Sequence, residues 1–322
     1  MTGRPMTDKK IITVFGATGT QGGGLARAAL EDRDGAFAVR AVTRRPDSAE
    51  AAELKRLGAE IVRADMDEEE SLAPAFEHAY GAFLVTNFWE HMSAERENTQ
   101  ARALARAASH AGVQHAVWST LEDTRTCIPL DDARMPTLQG RYKVPHFDGK
   151  AEADGCFLEE GVPTTFLRST FYWENLLGAF AAQRGDDGAF ELTYPMGDSK
   201  LSGIAADDIG KTALAVLGRG TDLIAATVSI AGEHLKVADM AAAIEEALGE
   251  PVRYRPLSPD AWRAQGMPGA DETGNMFQYY ADCEERFTAA RDLDAVRGLN
   301  PALQSFATWL AANRDRLRAA WA

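Results

Sequence analysis

Short apolar runs separated by helical segments organise the first half of this chain. Ile11, Ile12, Val14 and Phe15 form one such run, rich in β-branched residues, which predicts a buried strand. Helix-forming segments follow these runs, a pattern typical of a parallel sheet with helices on both faces. Further strands are predicted within residues 37–45, 59–66, 81–87, 114–120 and 163–169.

Two of the predicted helices begin at a serine. Ser48 opens a charged helical pattern, and Ser93 is a good N-cap for a long helix over residues 95–111. Shorter helices are expected around residues 72–78 and from about His146. The segment 121–145, which lies between a predicted strand and that helix, has many turn residues and predicts a loop over a site.

The alternation is less regular after residue 170, where further strands, a capped helix and two or three closing helices are expected. The fold class predicted is α/β: a Rossmann-type doubly wound parallel sheet with a smaller C-terminal α/β lobe. The expected domains are an NAD(P)-binding domain over residues 1–170 and an interleaved substrate or partner lobe over 171–322. Segments within about 201–232 are expected to complete the sheet.

A glycine-rich turn directly follows the first predicted strand. Gly16, Gly19 and Gly22 have the spacing G-x-x-G-x-x-G, and a helical segment comes next. The first glycine permits a sharp turn, the second a close approach of a pyrophosphate, and the third close packing of helix on strand. Dinucleotide binding at the helix N-terminus is therefore predicted. An ordinary tight turn is the alternative.

The end of the second predicted strand bears on the choice of cofactor. An acidic residue about 20 positions past the glycines binds the ribose of NAD. That position falls near Thr43, and Arg44 and Arg45 follow it. Two guanidinium groups suit a 2′-phosphate, which favours NADP(H). The alternative is a solvated basic turn before Pro46.

Polar residues end or follow each predicted strand, where ligands bind in open α/β sheets. Asp65 and Met66 stand at the C-terminal edge of the third predicted strand, where an adenine is expected to lie. The residues that we expect along this one edge are Gly16, Arg44, Asp65, Asn87 and Ser119.

Composition narrows the class of protein. The formal net charge of −14 argues against direct binding of nucleic acid, which depends on basic surface. No apolar run approaches the roughly 20 residues of a membrane span, and residues 1–10 do not resemble a signal peptide. Cys127, Cys156 and Cys283 are distant and odd in number, so reduced thiols, a cytoplasmic location and no metal site are expected.

Five segments together resemble the NmrA-like family of atypical short-chain dehydrogenases/reductases, including its redox-sensor members. They are GATGTQGG, VTRRP, VTNFWE, HFDGK and FYWENLL. The resemblance runs from Ile11 past residue 280 and implies a Rossmann core, NADP(H) binding and often a regulatory role.

By position, the resemblance implies a role for each matching residue. Arg44 would hold the 2′-phosphate, and Lys150 would bind the ribose of the nicotinamide. The remaining cofactor-binding candidates are Gly16, Thr18, Gly19, Thr20, Gln21 and Gly22 at the phosphates, Thr43 and Arg45 beside Arg44, Asp65 and Met66 at the adenine, Thr86 and Asn87 at the ribose, and Phe171, Tyr172 and Asn175 near the nicotinamide.

The chain departs from the superfamily at the catalytic tyrosine. Active members carry Tyr-x-x-x-Lys, with both side chains on one helix face. His146 stands four residues before Lys150, and Tyr142 is separated from that lysine by a proline. His146 is either a displaced proton donor or an exposed or capping residue. Ser119 and Thr120 are either hydroxyls that orient a substrate or polar residues at a strand end.

Two functions therefore stay open. The first is an NADP(H)-binding redox sensor or regulator with a protein partner. The second is an NADPH-dependent reductase of a small carbonyl, quinone or imine-like substrate, with Lys150, His146, Ser119 and Thr120 as catalytic candidates. Tyr172 is a further possible proton donor. Aromatic residues around Trp89 and Phe171 either line a substrate pocket or pack in the core. A homodimer is compatible with the sequence.

Overall fold

A parallel sheet of seven strands dominates the computed structural model, which describes residues 9–32 and 34–322. Its order is β3-β2-β1-β4-β5-β6-β11, with parallel pairing throughout β1 to β6. The strands of the described residues are β1 (Lys10–Val14), β2 (Phe37–Thr43), β3 (Glu60–Arg63), β4 (Gly81–Leu84), β5 (His115–Thr120), β6 (Thr164–Arg168), β7 (Phe171–Tyr172), β8 (Gln183–Arg184), β9 (Phe190–Leu192), β10 (Lys200–Ile204), β11 (Thr227–Ser229), β12 (Glu233–Lys236) and β13 (Val252–Tyr254).

Helices connect the strands, the predicted cap at Ser93 is present, and Ser48 also caps a helix. The side chain of Ser48 accepts a hydrogen bond from the Ala51 N–H, and that of Ser93 from the Arg96 N–H. The helices are α1 (Thr20–Glu31), α2 (Ala49–Leu57), α3 (Ala73–Phe76), α4 (Ala94–His110), α5 (Pro145–Glu159), α6 (Ala206–Gly218), α7 (Val237–Leu248), α8 (Pro259–Arg263), α9 (Ala270–Asp282), α10 (Glu284–Ala289), α11 (Leu293–Leu299) and α12 (Phe306–Trp321).

The sequence prediction of the α/β class and of the first six strands is confirmed. Four helices follow residue 266, where two or three were expected, because α10 and α11 are too short to show a helical period. Segments within about 201–232 were expected to complete the main sheet; β11 lies at its edge, whereas β10 belongs to a smaller sheet. The expectation about a signal peptide falls largely on residues 1–8, which lie outside the described residues.

The chain forms two compact units, each built from three stretches. Unit 1 comprises residues 1–123, 149–169 and 206–228, and it contains the main sheet. Unit 2 comprises residues 124–148, 170–205 and 229–322. Residues 124–148 thus belong to unit 2, whereas the sequence analysis assigned them to the first domain.

The core of unit 1 lies between the sheet and its helices. Parallel strands covered on both faces read as continuous apolar runs, and β4 and β5 are buried along their whole length. Large side chains fill the space on one side, and Phe15 stacks on Phe76 at 5.3 Å while Trp118 packs on Phe157 at 4.8 Å.

Two helices of unit 1 approach each other backbone to backbone. A Cβ atom added at Gly210 of α6 would lie 2.1 Å from the backbone nitrogen of Leu25 in α1. A Cβ atom at Gly24 would lie 3.0 Å from the Cα atom of Asp207. Only glycine permits this approach, so α6 is an integral part of the layer that contains α1.

Unit 2 holds two three-stranded sheets, in the orders β12-β10-β7 and β13-β9-β8. Its α9 helix binds the segment 124–148. The side-chain amide of Asn275 donates to the carbonyls of Pro136 at 2.9 Å and Lys143 at 2.6 Å, and Gln278 donates to Arg134 O at 3.1 Å. The segment 124–148 has no long helix or strand among its described residues before α5 begins, yet its backbone is well bonded.

A disulfide joins Cys127 to Cys283 within unit 2. Three reduced thiols were expected from the sequence, and for these two cysteines that expectation is wrong. Their separation of 156 residues hides the pairing from any local pattern, and only the tertiary fold brings them together. Cys156 is a free, buried thiol.

Candidate functional site

The glycine turn lies at the point where the strand order reverses. β1 pairs with β2 on one side and with β4 on the other, so the chain that leaves β1 enters the crevice where such sheets bind ligands. Gly16 adopts the left-handed region with φ +63°, and Gly19 is the N-cap residue of α1. No side chain caps this helix, and its first turn contains no acidic residue. The helix N-terminus therefore favours an anion.

Gly22 allows α1 to lie close to β1. A Cβ atom at this position would lie 2.5 Å from Phe15 O and 2.6 Å from Gly16 O. The predicted role of the third glycine, close packing of helix on strand, has this physical basis. Around the turn, Gly16, Gly19 and Thr20 are exposed, whereas Thr18 and Gln21 are half-buried.

Arg44 follows the last residue of β2 and is ion-paired with Glu90. The Thr43 hydroxyl accepts a hydrogen bond from the Arg45 N–H at 3.1 Å, and Arg45 itself is exposed. Hydrogen bonding to Glu90 raises the pKa of Arg44, and burial opposes this effect. The Arg44 guanidinium is thus charged and is already hydrogen-bonded to Glu90.

Asp65 and Met66 follow β3. Ser71 holds the Asp65 backbone, because its hydroxyl accepts from the Asp65 N–H at 2.8 Å and donates to the Asp65 carbonyl at 3.0 Å. A carboxylate oxygen of Asp65 accepts from the Asp67 N–H at 3.1 Å. Met66 is half-buried against the core of unit 1.

Lys150 enters a buried polar network at the ends of β4 and β5. Its ammonium nitrogen lies 2.8 Å from the Thr86 hydroxyl and 3.1 Å from Glu97 Oε1. The Thr86 hydroxyl in turn donates to Glu97 at 2.7 Å. The carbonyl oxygens of Thr86 and Ser119 lie at 3.4 and 3.5 Å from the same ammonium. Lys150 is 7% exposed, so it is not a plain surface lysine. Asn87, beside Thr86, is exposed.

The two hydroxyls that end β5 are each bonded to another side chain. Ser119 donates to Gln21 at 2.8 Å, and Thr120, which is fully buried, donates to Asp154 at 2.6 Å. Trp118 also donates to Asp154, at 3.0 Å. Burial raises the pKa of Asp154 to about 6, so this carboxyl titrates close to neutral pH.

Comparison with known proteins identifies the family. The model of the NmrA-like family matches residues 8–305 of this chain. The chain belongs to the NmrA-like family.

Individual relatives and solved structures are similar to this chain. An "NmrA-like family domain-containing oxidoreductase FrzB" from Cladobotryum sp. is 27% identical over 307 residues, which is 88% of each chain. A solved structure of Nmra, described as a negative transcriptional regulator in complex with NADP, is 21% identical with a TM-score of 0.74 and covers 94% of this chain and 95% of its own. A structure of the NADPH-dependent quinone oxidoreductase QOR2 with NADPH, from Escherichia coli, is 22% identical with a TM-score of 0.73 and covers 94% and 99%.

His146 of this NmrA-like chain belongs to unit 2 and is neither exposed nor a simple cap. It is 6% exposed, and its ring Nδ1 atom is in contact with the Glu272 carboxylate of α9. The same carboxylate accepts from the His146 N–H at 2.7 Å. An acidic partner at Nδ1 orients an imidazole.

The three remaining candidates, Phe171, Tyr172 and Asn175, lie in unit 2. Phe171 is buried among aromatic rings, 5.6 Å from Phe180 and 6.2 Å from Phe277. This placement favours core packing for its ring. Tyr172 and Asn175 are half-buried. Apart from His146, the other candidates, from the glycine turn to Lys150, belong to unit 1.

Four acidic residues that contact the candidates were missed by the sequence analysis: Glu90, Glu97, Asp154 and Glu272. Asp154 follows Lys150 by four residues on α5, so the helical period offered a signal for it. Glu97 lies in the charged stretch AERENTQ, which is typical of a solvated helix start. Among the described residues, no helix has the length and apolar composition of a membrane span, and no acidic, His or Cys cluster is placed to hold a metal.

Proposed function

We propose that this chain binds NADP(H) on unit 1 and acts as a redox sensor or regulator. One observation carries the proposal: an uncapped helix N-terminus follows a glycine turn at the reversal of strand order. At two of these positions the structure explains why glycine is required. Gly16 has a positive φ, and at Gly22 the backbone approaches too closely for a side chain. Such an arrangement fits a pyrophosphate.

The residues of unit 1 suit the other parts of the cofactor. Arg44 offers charge to a 2′-phosphate, Asp65 and Met66 offer a polar and an apolar contact to an adenine, and Lys150 lies at the edge expected for a ribose. When bound, the nicotinamide supplies hydride chemistry. The NmrA-like relative solved with NADP supports this choice of cofactor.

The regulatory role is supported by the catalytic candidates of unit 1, whose donor groups are already bonded to other groups of the chain. The superfamily tyrosine is replaced by His146. Lys150 already has Glu97 and Thr86 as partners, and Ser119 and Thr120 donate to Gln21 and Asp154. A sensor requires that NADPH and NADP⁺ favour different conformations, since a ligand shifts a population only by its differential affinity.

A reductase is the second candidate, and the contact between His146 and Glu272 favours it. A carboxylate at Nδ1 is the arrangement that orients histidine for proton transfer in many enzymes. Curated relatives named as oxidoreductases point the same way. The substrate class would be a small carbonyl, quinone or imine-like compound.

Two measurements test these proposals. Calorimetric titration with NADPH, NADP⁺, NADH and NAD⁺ should give binding, and Arg44→Ala should weaken NADPH more than NADH. Arg56→Ala, at an exposed pair on α2, is the matched control. Absence of binding to all four dinucleotides would exclude both functions.

Turnover separates the two candidates. NADPH oxidation is followed over a panel of quinones, aldehydes, ketones and imines. Turnover that His146→Phe abolishes would establish the reductase. Binding without turnover, with at least tenfold different affinities for NADPH and NADP⁺, would favour the sensor.

A further inference from the structure

The contact between Arg44 and Glu90 joins the ends of two strands in unit 1. Arg44 comes directly after β2, and Glu90 ends the short 3₁₀ turn Phe88–Glu90 that follows β4. The side chains are half-exposed, at 51% and 42%, and the guanidinium Nη2 atom is bonded to a carboxylate oxygen. The Arg44 guanidinium, which is expected to bind a 2′-phosphate, is therefore already bonded to the Glu90 carboxylate.

The surroundings of Arg44 are acidic. Besides Glu90, the charges of Asp65 and Asp67 also raise the pKa of its guanidinium. Asp67 is itself held by Arg96 at 2.6 Å, whereas Glu90 has its described ion pair with Arg44. Glu90 is thus the carboxylate most directly coupled to Arg44.

We propose that Glu90 sets the cofactor preference, because its carboxylate competes with the 2′-phosphate for the Arg44 guanidinium. The proposal rests on the proposed function, namely dinucleotide binding on unit 1. Glu90 lowers the discrimination between NADP(H) and NAD(H) below the value that Arg44 alone would produce.

The physical reason is a difference in what each cofactor must displace. A phosphate monoester carries nearly two negative charges and binds best to a guanidinium through two parallel hydrogen bonds. To form them it must loosen Glu90 and then remain close to that charge. A cofactor without the 2′-phosphate leaves the pair intact, and carboxylates are the usual partners of a free ribose hydroxyl in NAD binders.

The expected change in binding of the 2′-phosphate follows from the exposure of the Arg44–Glu90 pair. Exposed ion pairs change an equilibrium constant by about 1.5- to 5-fold, and repulsion between nearby like charges in water adds a comparable factor. Neutralising Glu90 should therefore strengthen binding of a 2′-phosphate by about 3- to 10-fold. Binding of the adenosine without that phosphate should change less than twofold.

The test uses cofactor fragments, so that activity is not required. Adenosine 2′,5′-bisphosphate and adenosine 5′-monophosphate are titrated into the wild type, Glu90→Gln and the control Glu159→Gln. Glu159 forms a comparable exposed pair with Arg102. We expect Glu90→Gln alone to tighten the bisphosphate about 3- to 10-fold and to leave the monophosphate nearly unchanged.

The same substitution in the Arg44→Ala variant separates competition for Arg44 from simple repulsion between Glu90 and the phosphate. In Arg44→Ala, the added Glu90→Gln change should tighten the bisphosphate by less than half the factor seen with Arg44 present. An equal factor in both backgrounds, or no effect of Glu90→Gln in the wild type, would overturn the proposal. If the wild type binds neither the fragments nor the four dinucleotides, dinucleotide binding itself fails, which is a different result.

Discussion

The ammonium nitrogen of Lys150 lies 3.1 Å from Oε1 of Glu97, and both side chains are buried in unit 1. Thr86 bonds to both of them, and the ring of Trp118 lies 4.9 Å from the ammonium. A lysine that would bind a cofactor hydroxyl is thus positioned by a counter-charge from α4. The pair connects the stability of unit 1 with its ligand chemistry.

Glu97→Gln should destabilise the protein by about 3 kcal/mol, because it leaves the buried Lys150 charge without compensation. The double variant Glu97→Leu/Lys150→Met should lose less than the sum of the single changes. Urea unfolding at pH 7 measures these differences. Glu159→Gln, at an exposed pair, should leave the free energy of unfolding nearly unchanged. A Glu97→Gln variant as stable as this control would contradict the buried pair.

Asp154 should make stability depend on pH. Its pKa is about 6 in the folded protein and about 3.9 in an unfolded chain, so folding favours the protonated form. The contribution of protonated Asp154 to the free energy of unfolding is complete below pH 4 and is lost as the pH rises through 6. The free energy of unfolding of the wild type, relative to Asp154→Asn, should increase by about 2 kcal/mol from pH 7.5 to 4.5.

Chemical denaturation at several pH values provides this comparison. Asp315→Asn, at an exposed position of α12, serves as the control and should show no such trend relative to the wild type. If the difference in free energy of unfolding between the wild type and Asp154→Asn is also independent of pH, the Asp154 carboxyl has an ordinary pKa in the folded protein.

The disulfide between Cys127 and Cys283 should be detectable by thiol counting. Denatured protein without reductant should show one reactive thiol, from Cys156, and three after reduction. Cys127→Ser/Cys283→Ser should lose about 3–5 kcal/mol of stability, since the bridge restricts a long loop of the unfolded chain. Dithiothreitol should destabilise the wild type but leave this variant unchanged. Three thiols before reduction would disprove the bridge.

Two glycine-to-alanine changes should have opposite signs. Gly22→Ala places a Cβ atom 2.5 Å from a backbone oxygen, so it should destabilise unit 1 by more than about 2 kcal/mol and abolish dinucleotide binding. Gly155→Ala, inside α5 with no atom within 4 Å of the new Cβ, should stabilise by about 0.5–1 kcal/mol. Thermal unfolding compares them directly. Equal effects would mean that backbone space does not explain the need for Gly22.

The sequence was informative where a local pattern has one structural meaning. The apolar runs that became β1 to β6 could be found because strands buried on both faces have few polar residues. The glycine turn could be found because its spacing serves a known geometry. Ser48 and Ser93 marked helix starts for the same local reason.

Long-range partnerships could not be found in the same way. Glu97 looks like a solvated helix residue until the fold brings Lys150 to it from 53 positions away. Glu90 and Glu272 have no pattern that links them to Arg44 and His146. Charge pairs at such separations depend on which strands become neighbours, a property of the whole sheet rather than of any segment.

The close approach of α1 and α6 has a consequence for how the protein is made. Residues 206–218 leave the ribosome long after residues 20–31, a delay of about 10–40 s at common synthesis rates. During that time the glycine-rich face of the first helix has no partner. Neither the amino-terminal half nor a fragment cut near residue 170 contains all of unit 1. The nascent chain thus passes through a period of exposure during which chaperones would have most to protect.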